Sequence, residues 1–151
     1  CRTFLCKGAM EMSIEQLLKL RQEAGGLNRL MNMRVTSVDE EGNATVELDV
    51  TRDLLNPLGM AHGGTIFSLC DIAAGTAAAS HGPVAVTLDS NIHYYRPGRL
   101  GKTLTAYATE RKRGRSTAVY LVDVYDDEEK HVADAVFTMF YAGHTTEDMR
   151  Y

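Results

Sequence analysis

Two stretches of this 151-residue chain combine residue types and spacing that could do chemistry. The first is Asn56-Pro-Leu-Gly59-Met-Ala-His62-Gly63-Gly64; the second is Leu69-Cys-Asp-Ile-Ala-Ala74, in which Asp71 follows Gly64 by seven residues. A carboxylate among apolar neighbours in a helix interior carries a large desolvation cost unless something uses it. Asp71 therefore reads as a carboxylate that the protein uses, as the partner of an internal donor, or as a residue on the one solvated stripe of its helix. Two consecutive glycines at a helix start let the backbone approach a ligand closely, because no Cβ stands in the way. The unpaired N–H groups of a first helical turn carry the positive end of the dipole and suit a developing oxyanion. A plain tight turn is the competing reading. Asn56 is either a turn former before Pro57 or an amide that orients a carbonyl or a water. His62 reads as a packing or capping residue before it reads as a general base, and His81, His93, His131 and His144 read as structural or exposed. Thr65 and Ser68 lie in no G-x-S-x-G elbow, so a serine nucleophile is not indicated.

The elements that must position these residues follow from patterning. Ser13-Ile-Glu-Gln16 has the form of a capping box, and Ile14, Leu17 and Leu18 follow at helical spacing until Gly25-Gly26, which predicts a short amphipathic helix. Residues 30–38 switch to a β-rich pattern, Asp39 to Asn43 form a turn, and Ala44 to Val50 alternate strictly, which together predict a hairpin. A loop spans Thr51 to Ala61. The apolar, alanine-rich run from His62 to Ser80 predicts a helix buried on most sides, stopped by His81-Gly-Pro83. Strands are expected over Val84–Tyr95, Lys102–Glu110, Ser116–Tyr125 and His131–Tyr141, with a tight basic turn at Arg111-Lys-Arg-Gly-Arg115 and an acidic one at Asp126–Lys130. Runs of strands around one helix argue for an α+β fold, an antiparallel sheet wrapped around one long central helix. Such a sheet leaves an exposed edge in a single copy, so a homodimer joined edge to edge is expected.

Composition narrows the classes. Apolar residues make up 44% and charged residues 24%, and no apolar run reaches the roughly 18 residues of a spanning helix, so a membrane protein is not indicated. A net charge of −4 argues against a nucleic-acid partner. Cys1, Cys6 and Cys70 form no metal-binding spacing and fit a reducing cytoplasm. Residues 1–11 are expected to be a non-native or disordered leader, 12–144 one domain and 145–151 a C-terminal tail.

At these residues the chain resembles the PaaI-like (phenylacetic acid degradation type) hotdog thioesterases. The pattern Asn-x-x-Gly-x-x-His-Gly-Gly, followed seven residues later by an Asp in the central helix, is met by Asn56, Gly59, His62, Gly63, Gly64 and Asp71. Thr87-Leu-Asp-Ser-Asn91-Ile-His-Tyr-Tyr-Arg-Pro97 is similar to the family's third strand, and the likeness covers residues 28–142. The resemblance implies a hotdog acyl-CoA thioesterase. It makes Asp71 the nucleophile or the general base and Gly63 the oxyanion N–H donor. Asn56 would position the thioester carbonyl or the water, His62 would support the loop, and Thr87 would be the hydroxyl that orients the water. It also implies that the acid of one subunit meets the Asn-Gly loop of the other, and that two dimers pair into a tetramer. No cofactor or metal is implied, coenzyme A entering as part of the substrate.

Gly64 is a further candidate for contact with substrate. Arg96 and the basic turn, Arg111, Lys112, Arg113 and Arg115, are candidates for the CoA phosphates, against the alternative of a solvated hairpin tip. Tyr94 or Tyr95 could line the acyl pocket or simply pack. The rival readings are a non-catalytic hotdog that binds acyl-CoA or an effector, and a hotdog dehydratase or hydratase.

Overall fold

A computed structural model describes residues 12–145; the expected leader over 1–11 and residues 146–151 of the expected tail lie outside the described residues. The capping box forms as its residues predict. Gln16 N–H donates to Ser13 Oγ at 3.2 Å and Ser13 N–H to Gln16 Oε1 at 2.9 Å, starting helix α1 over Ile14–Gln22. Strand character does not begin at residue 30. Gly26 takes φ +62 and turns the chain into a second short helix, α2 over Gly26–Leu30, so strand β1 covers only Arg34–Val38.

Strand β2 (Ala44–Asp49) pairs antiparallel with β1 around the turn Asp39–Asn43. Both side-chain oxygens of Asp39 accept from Asn43 at 2.9 Å, which closes that turn. After a single 3-10 turn at Arg52–Leu54 comes the central helix, α3 over Gly63–Ala79. Strands β3 (Pro83–Tyr94), β4 (Thr103–Arg113), β5 (Thr117–Asp126) and β6 (His131–Thr145) complete one antiparallel sheet in the order β1-β2-β4-β5-β6-β3. Alternate residues of the strands face α3, among them Val46, Leu48, Leu104, Ala106, Tyr120, Val122 and Phe137, all fully buried. Ala73, Ala74, Ala77 and Ala78 on the helix are also fully buried, and their small side chains let α3 sit close against the curved sheet. This is the hotdog arrangement expected from the element order.

Two features of the sheet bear on the site. Strand β3 is an edge, paired on one side only, with Val86 and Leu88 exposed along it and a bulge between Thr87 and Asp89. The β4–β5 turn is tighter than the basic run suggests. A bulge between Glu110 and Lys112 lets β4 continue to Arg113, paired with Ala118, and Gly114 N–H closes the turn on the Thr117 carbonyl at 2.8 Å. Arg111, Lys112 and Arg113 are thus exposed residues at a strand end, and only Arg115 stands in the turn itself. No helix among the described residues is long and apolar enough to cross a membrane.

Candidate active site

The loop from Asn56 to His62 is held by its own backbone. Asn56 N–H donates to the Met60 carbonyl at 2.7 Å, Gly59 N–H returns to the Asn56 carbonyl at 3.0 Å, and Gly59 supplies the left-handed φ of +78 that this turn requires. The side chain of Asn56 completes the turn, its Oδ1 accepting from Leu58 N–H at 2.9 Å and Met60 N–H at 3.2 Å. Two backbone donors on one atom fix that atom as the oxygen. The Nδ2 amide has no partner among the described residues, so Asn56 is left able to donate to an incoming carbonyl.

Further along, Ala61 N–H reaches the Gly98 carbonyl and His62 N–H the Leu54 carbonyl, each at 2.8 Å. Gly98 has to be glycine for that approach, because a Cβ there would lie 2.9 Å from the Ala61 Cβ. His62 is the N-cap of α3, and its Nδ1 accepts from Gly64 N–H at 2.9 Å. Its neutral tautomer therefore carries the ring proton on Nε2. Thr65 and Ile66 N–H both point at the His62 carbonyl, at 2.9 and 3.3 Å. Of the first-turn N–H groups only Gly63 lacks a partner among the described residues, and it sits at the positive end of a 17-residue helix. Gly64, a candidate for substrate contact on sequence grounds, has its N–H engaged by His62.

Gly63 and Asn56 open onto a cavity of about 370 Å³, lined also by Met60, Tyr94, Tyr95 and Arg96. Tyr94 donates its hydroxyl to the Gly63 carbonyl at 2.8 Å. Arg96, which also lines the cavity, donates through Nη1 to the His131 carbonyl at 2.9 Å.

Asp71 is elsewhere. It lies eight residues beyond Gly63 on α3, about 12 Å along the axis and about 80° round it. The carboxylate is half-buried rather than enclosed, which lowers the desolvation cost anticipated from its apolar neighbours. Thr87, on the inward face of edge strand β3, donates its hydroxyl to Asp71 Oδ1 at 2.5 Å and rests 3.7 Å from Met139 Sδ. Asp71 Oδ2 has no partner among the described residues. The structure thus holds two separate groupings in one chain: an acid with a hydroxyl beside it, and a pair of N–H donors at a cavity without partners among the described residues. The basic strand end is not near that cavity, which lies at the start of β4, roughly 35 Å from Arg113 along the strand.

Patterning alone does not mark Tyr94 as a partner of Gly63. Its signal, a tyrosine ending a strand, is the same as that of Tyr95, whose hydroxyl instead meets Asp134 Oδ2 at 2.7 Å on the outer face of the sheet.

Residues 58–133 match the model of the thioesterase superfamily. The acyl-coenzyme A thioesterase PaaI of Escherichia coli is 39% identical over 105 residues, 70% of this chain and 74% of that protein. The structure of the E. coli PaaI protein from the phenylacetic acid degradation operon superposes with a TM-score of 0.84 at 33% identity, covering 91% of this chain and 99% of that one. A Streptococcus mutans protein solved bound to acetyl CoA gives a TM-score of 0.75 at 38% identity over 82% of this chain and 97% of that one. A hypothetical thioesterase protein of Streptococcus pneumoniae has been solved with an aspartate changed to alanine, and again with a threonine sixteen positions later changed to alanine. These two structures match at TM-scores of 0.71 and identities of 37% and 36%, over 75% of this chain and 93% and 92% of those chains. The chain belongs to the thioesterase superfamily, as a hotdog-fold thioesterase of the PaaI-like type.

Proposed function

We propose that the protein hydrolyses acyl-CoA thioesters at a site shared between two copies of the chain, Asp71 and Thr87 coming from one and Asn56 and Gly63 from the other. The observation that carries this reading is the separation of the two half-sites. An acid that activates water and the donors that hold the resulting oxyanion must both be within hydrogen-bond reach of one reacting carbonyl. About 12 Å along one helix is too far. Edge strand β3 carries the remedy, since Thr87 lies midway along it and Tyr94, bonded to Gly63, ends it. Antiparallel pairing of two β3 edges centred between those residues sets the Thr87–Asp71 pair of each chain beside the Tyr94–Gly63 end of the other. It also covers the exposed Val86 and Leu88. The same reversal brings the basic end of one chain's β4 to the end of the sheet that holds its partner's cavity. Arg111, Lys112, Arg113 and Arg115 are the groups there for CoA phosphates, with Arg96 at the cavity mouth. Two such dimers pairing make the tetramer.

In this arrangement Thr87, already donating to Asp71 Oδ1, keeps lone pairs that accept from a water, and Asp71 Oδ2 takes that water's proton. The hydroxide adds to the thioester carbon while Gly63 N–H and Asn56 Nδ2 hold the oxyanion. Collapse breaks the C–S bond, and the proton on Asp71 passes to the departing thiolate, leaving a free acid and CoA thiol. The spacing of Asp71 and Thr87 equals that of the aspartate and threonine substituted in the Streptococcus pneumoniae relative, and the Streptococcus mutans relative binds acetyl CoA. Cys70 is buried, and burial pushes its thiol up to about 12, which disfavours the thiolate that a nucleophilic role would need.

The test is thiol release from acetyl-, hexanoyl-, palmitoyl-, phenylacetyl- and hydroxybenzoyl-CoA, with wild type and Asp71→Asn side by side. Cleavage of at least one class by wild type and not by the variant supports the reading. A folded dimer that cleaves none is instead a protein that binds acyl-CoA without turning it over.

A further inference from the structure

We infer that Tyr94 is a positioning residue for the reaction, its hydroxyl holding the Gly63–Gly64 peptide so that the Gly63 N–H stays aimed into the cavity; this rests on the proposed role of Gly63. A pair of glycines at a helix start has more backbone freedom to lose than any other dipeptide, and an oxyanion donor is useful only if its direction is set beforehand. The peptide unit between Gly63 and Gly64 is rigid and planar, with one acceptor and one donor. Both are clamped from outside the helix ladder: the carbonyl accepts the Tyr94 hydroxyl at 2.8 Å and the N–H donates to His62 Nδ1 at 2.9 Å. The preceding peptide is held through the His62 carbonyl, which takes Thr65 and Ile66 N–H at 2.9 and 3.3 Å. The Gly63 N–H lies in that preceding plane, joined to the clamped one at the Gly63 Cα, and is the one polar group of the two planes that has no partner among the described residues.

The fit is close. A Cβ on residue 63 would sit 3.3 Å from the Tyr94 oxygen, so a methyl group there would press on the hydroxyl that reaches the carbonyl. Packing alone is a weak account of the tyrosine, because 49% of it is exposed at the cavity. Partial burial raises the phenol above its ordinary value, so the hydroxyl remains a donor through neutral pH.

Tyr94→Phe removes the hydroxyl and keeps the ring. With the acyl-CoA that wild type cleaves fastest, kcat is expected to fall about ten-fold, the scale of one lost hydrogen bond, with KM within about two-fold and the melting temperature unchanged. Unchanged kcat, or a raised KM alone, overturns the inference and leaves the ring as a cavity wall. The underlying reading is checked separately. Gly63→Pro deletes the N–H at a position whose predecessor, His62 at ψ 141, accepts a following proline, and Gly63→Ala adds the crowding while keeping the N–H. Gly63→Pro should lose about a hundred-fold relative to Gly63→Ala. If the two turn over equally, Gly63 is not the donor and the role of Tyr94 falls with it. If Gly63→Pro is slow, adding Tyr94→Phe to it should cost nothing further; a second ten-fold loss means that the hydroxyl acts elsewhere.

Discussion

The two ends of α3 use similar residues, a histidine next to glycine, and leave them in opposite states. At the C-terminal end, His81 Nε2 lies 2.5 Å from Glu110 Oε2, which also accepts the Tyr120 hydroxyl at 3.1 Å. Tyr141 is 3.5 Å from that hydroxyl, and Arg113 Nε is 3.8 Å from the other Glu110 oxygen. Burial raises the Tyr120 phenol well above its ordinary value, so it remains a donor. On the Gly42 side the pair is tightly covered: a Cβ on Gly42 would lie 2.7 Å from His81 Nε2 and 2.8 Å from Glu110 Oε2. At the N-terminal end, His62 is exposed, and the donors Gly63 N–H and Asn56 Nδ2 face a cavity without partners among the described residues. Buried polar groups that satisfy one another hold a fold; donors left open beside a cavity hold a ligand. Substitutions at the first end should therefore change stability and leave rate alone, and those at the proposed site should do the reverse.

The largest effect expected is on rate. Asp71→Asn is nearly isosteric and should lower kcat by about a thousand-fold with little change in melting temperature. Near-normal turnover would show that the acid is misassigned. Gly42→Ala comes next. Gly42 has φ +86 and no space for a methyl group, so alanine should cost about 2 kcal/mol or more in urea unfolding while kcat per folded enzyme stays at the wild-type value. A drop in kcat without a drop in stability would break the contrast between the two ends. Thr87→Ala should slow turnover about ten-fold and Thr87→Ser restore most of it, because only the hydroxyl reaches Asp71.

The smallest effect lies away from both ends. Hydrogen bonds from Arg34, and then from Thr103, hold the Asp49 carboxyl below its ordinary value of 3.8. The unfolded chain takes up that proton first as pH falls, so the stabilisation is whole above 3.8 and is lost through the lower folded value. Asp49→Asn should flatten the acid limb of the stability curve below about pH 4. An acid limb as steep as that of wild type would place the linkage on another carboxylate.

Local signals were legible in proportion to how local they are. The capping box, the alternation of Ala44–Val50 and the apolar run of α3 each depend on residues within a turn or a strand of one another, and each forms as its pattern predicts. Helix α2 was not legible, because Gly25-Gly26 reads as a stop and only the backbone shows that Gly26 redirects the chain. The continuation of β4 through Arg111–Arg113 was hidden because a run of charges reads as a turn, whereas a bulge keeps those residues exposed on a paired strand. His81 and Glu110 are 29 residues apart, and neither sits in an apolar frame that would announce a part-buried pair. The Asn56–Gly64 loop and Asp71 were conspicuous as residue types, but their separation along α3 is a property of helix length and of the edge strand beside it.

The most direct test of a site shared between two copies is complementation. Asp71→Asn and Gly63→Pro chains, each inactive as a homodimer, are unfolded and refolded together at equal concentration, and thiol release is measured. If each site takes its acid from one copy and its oxyanion donor from the other, every mixed dimer holds one intact site and one doubly defective site. The mixture should then recover about a quarter of wild-type activity, half the dimers being mixed and each having one of two sites restored. If Asp71 and Gly63 served the same reaction from within one chain, every site in every dimer would carry a defect, and mixed dimers that form without recovering activity would contradict the account.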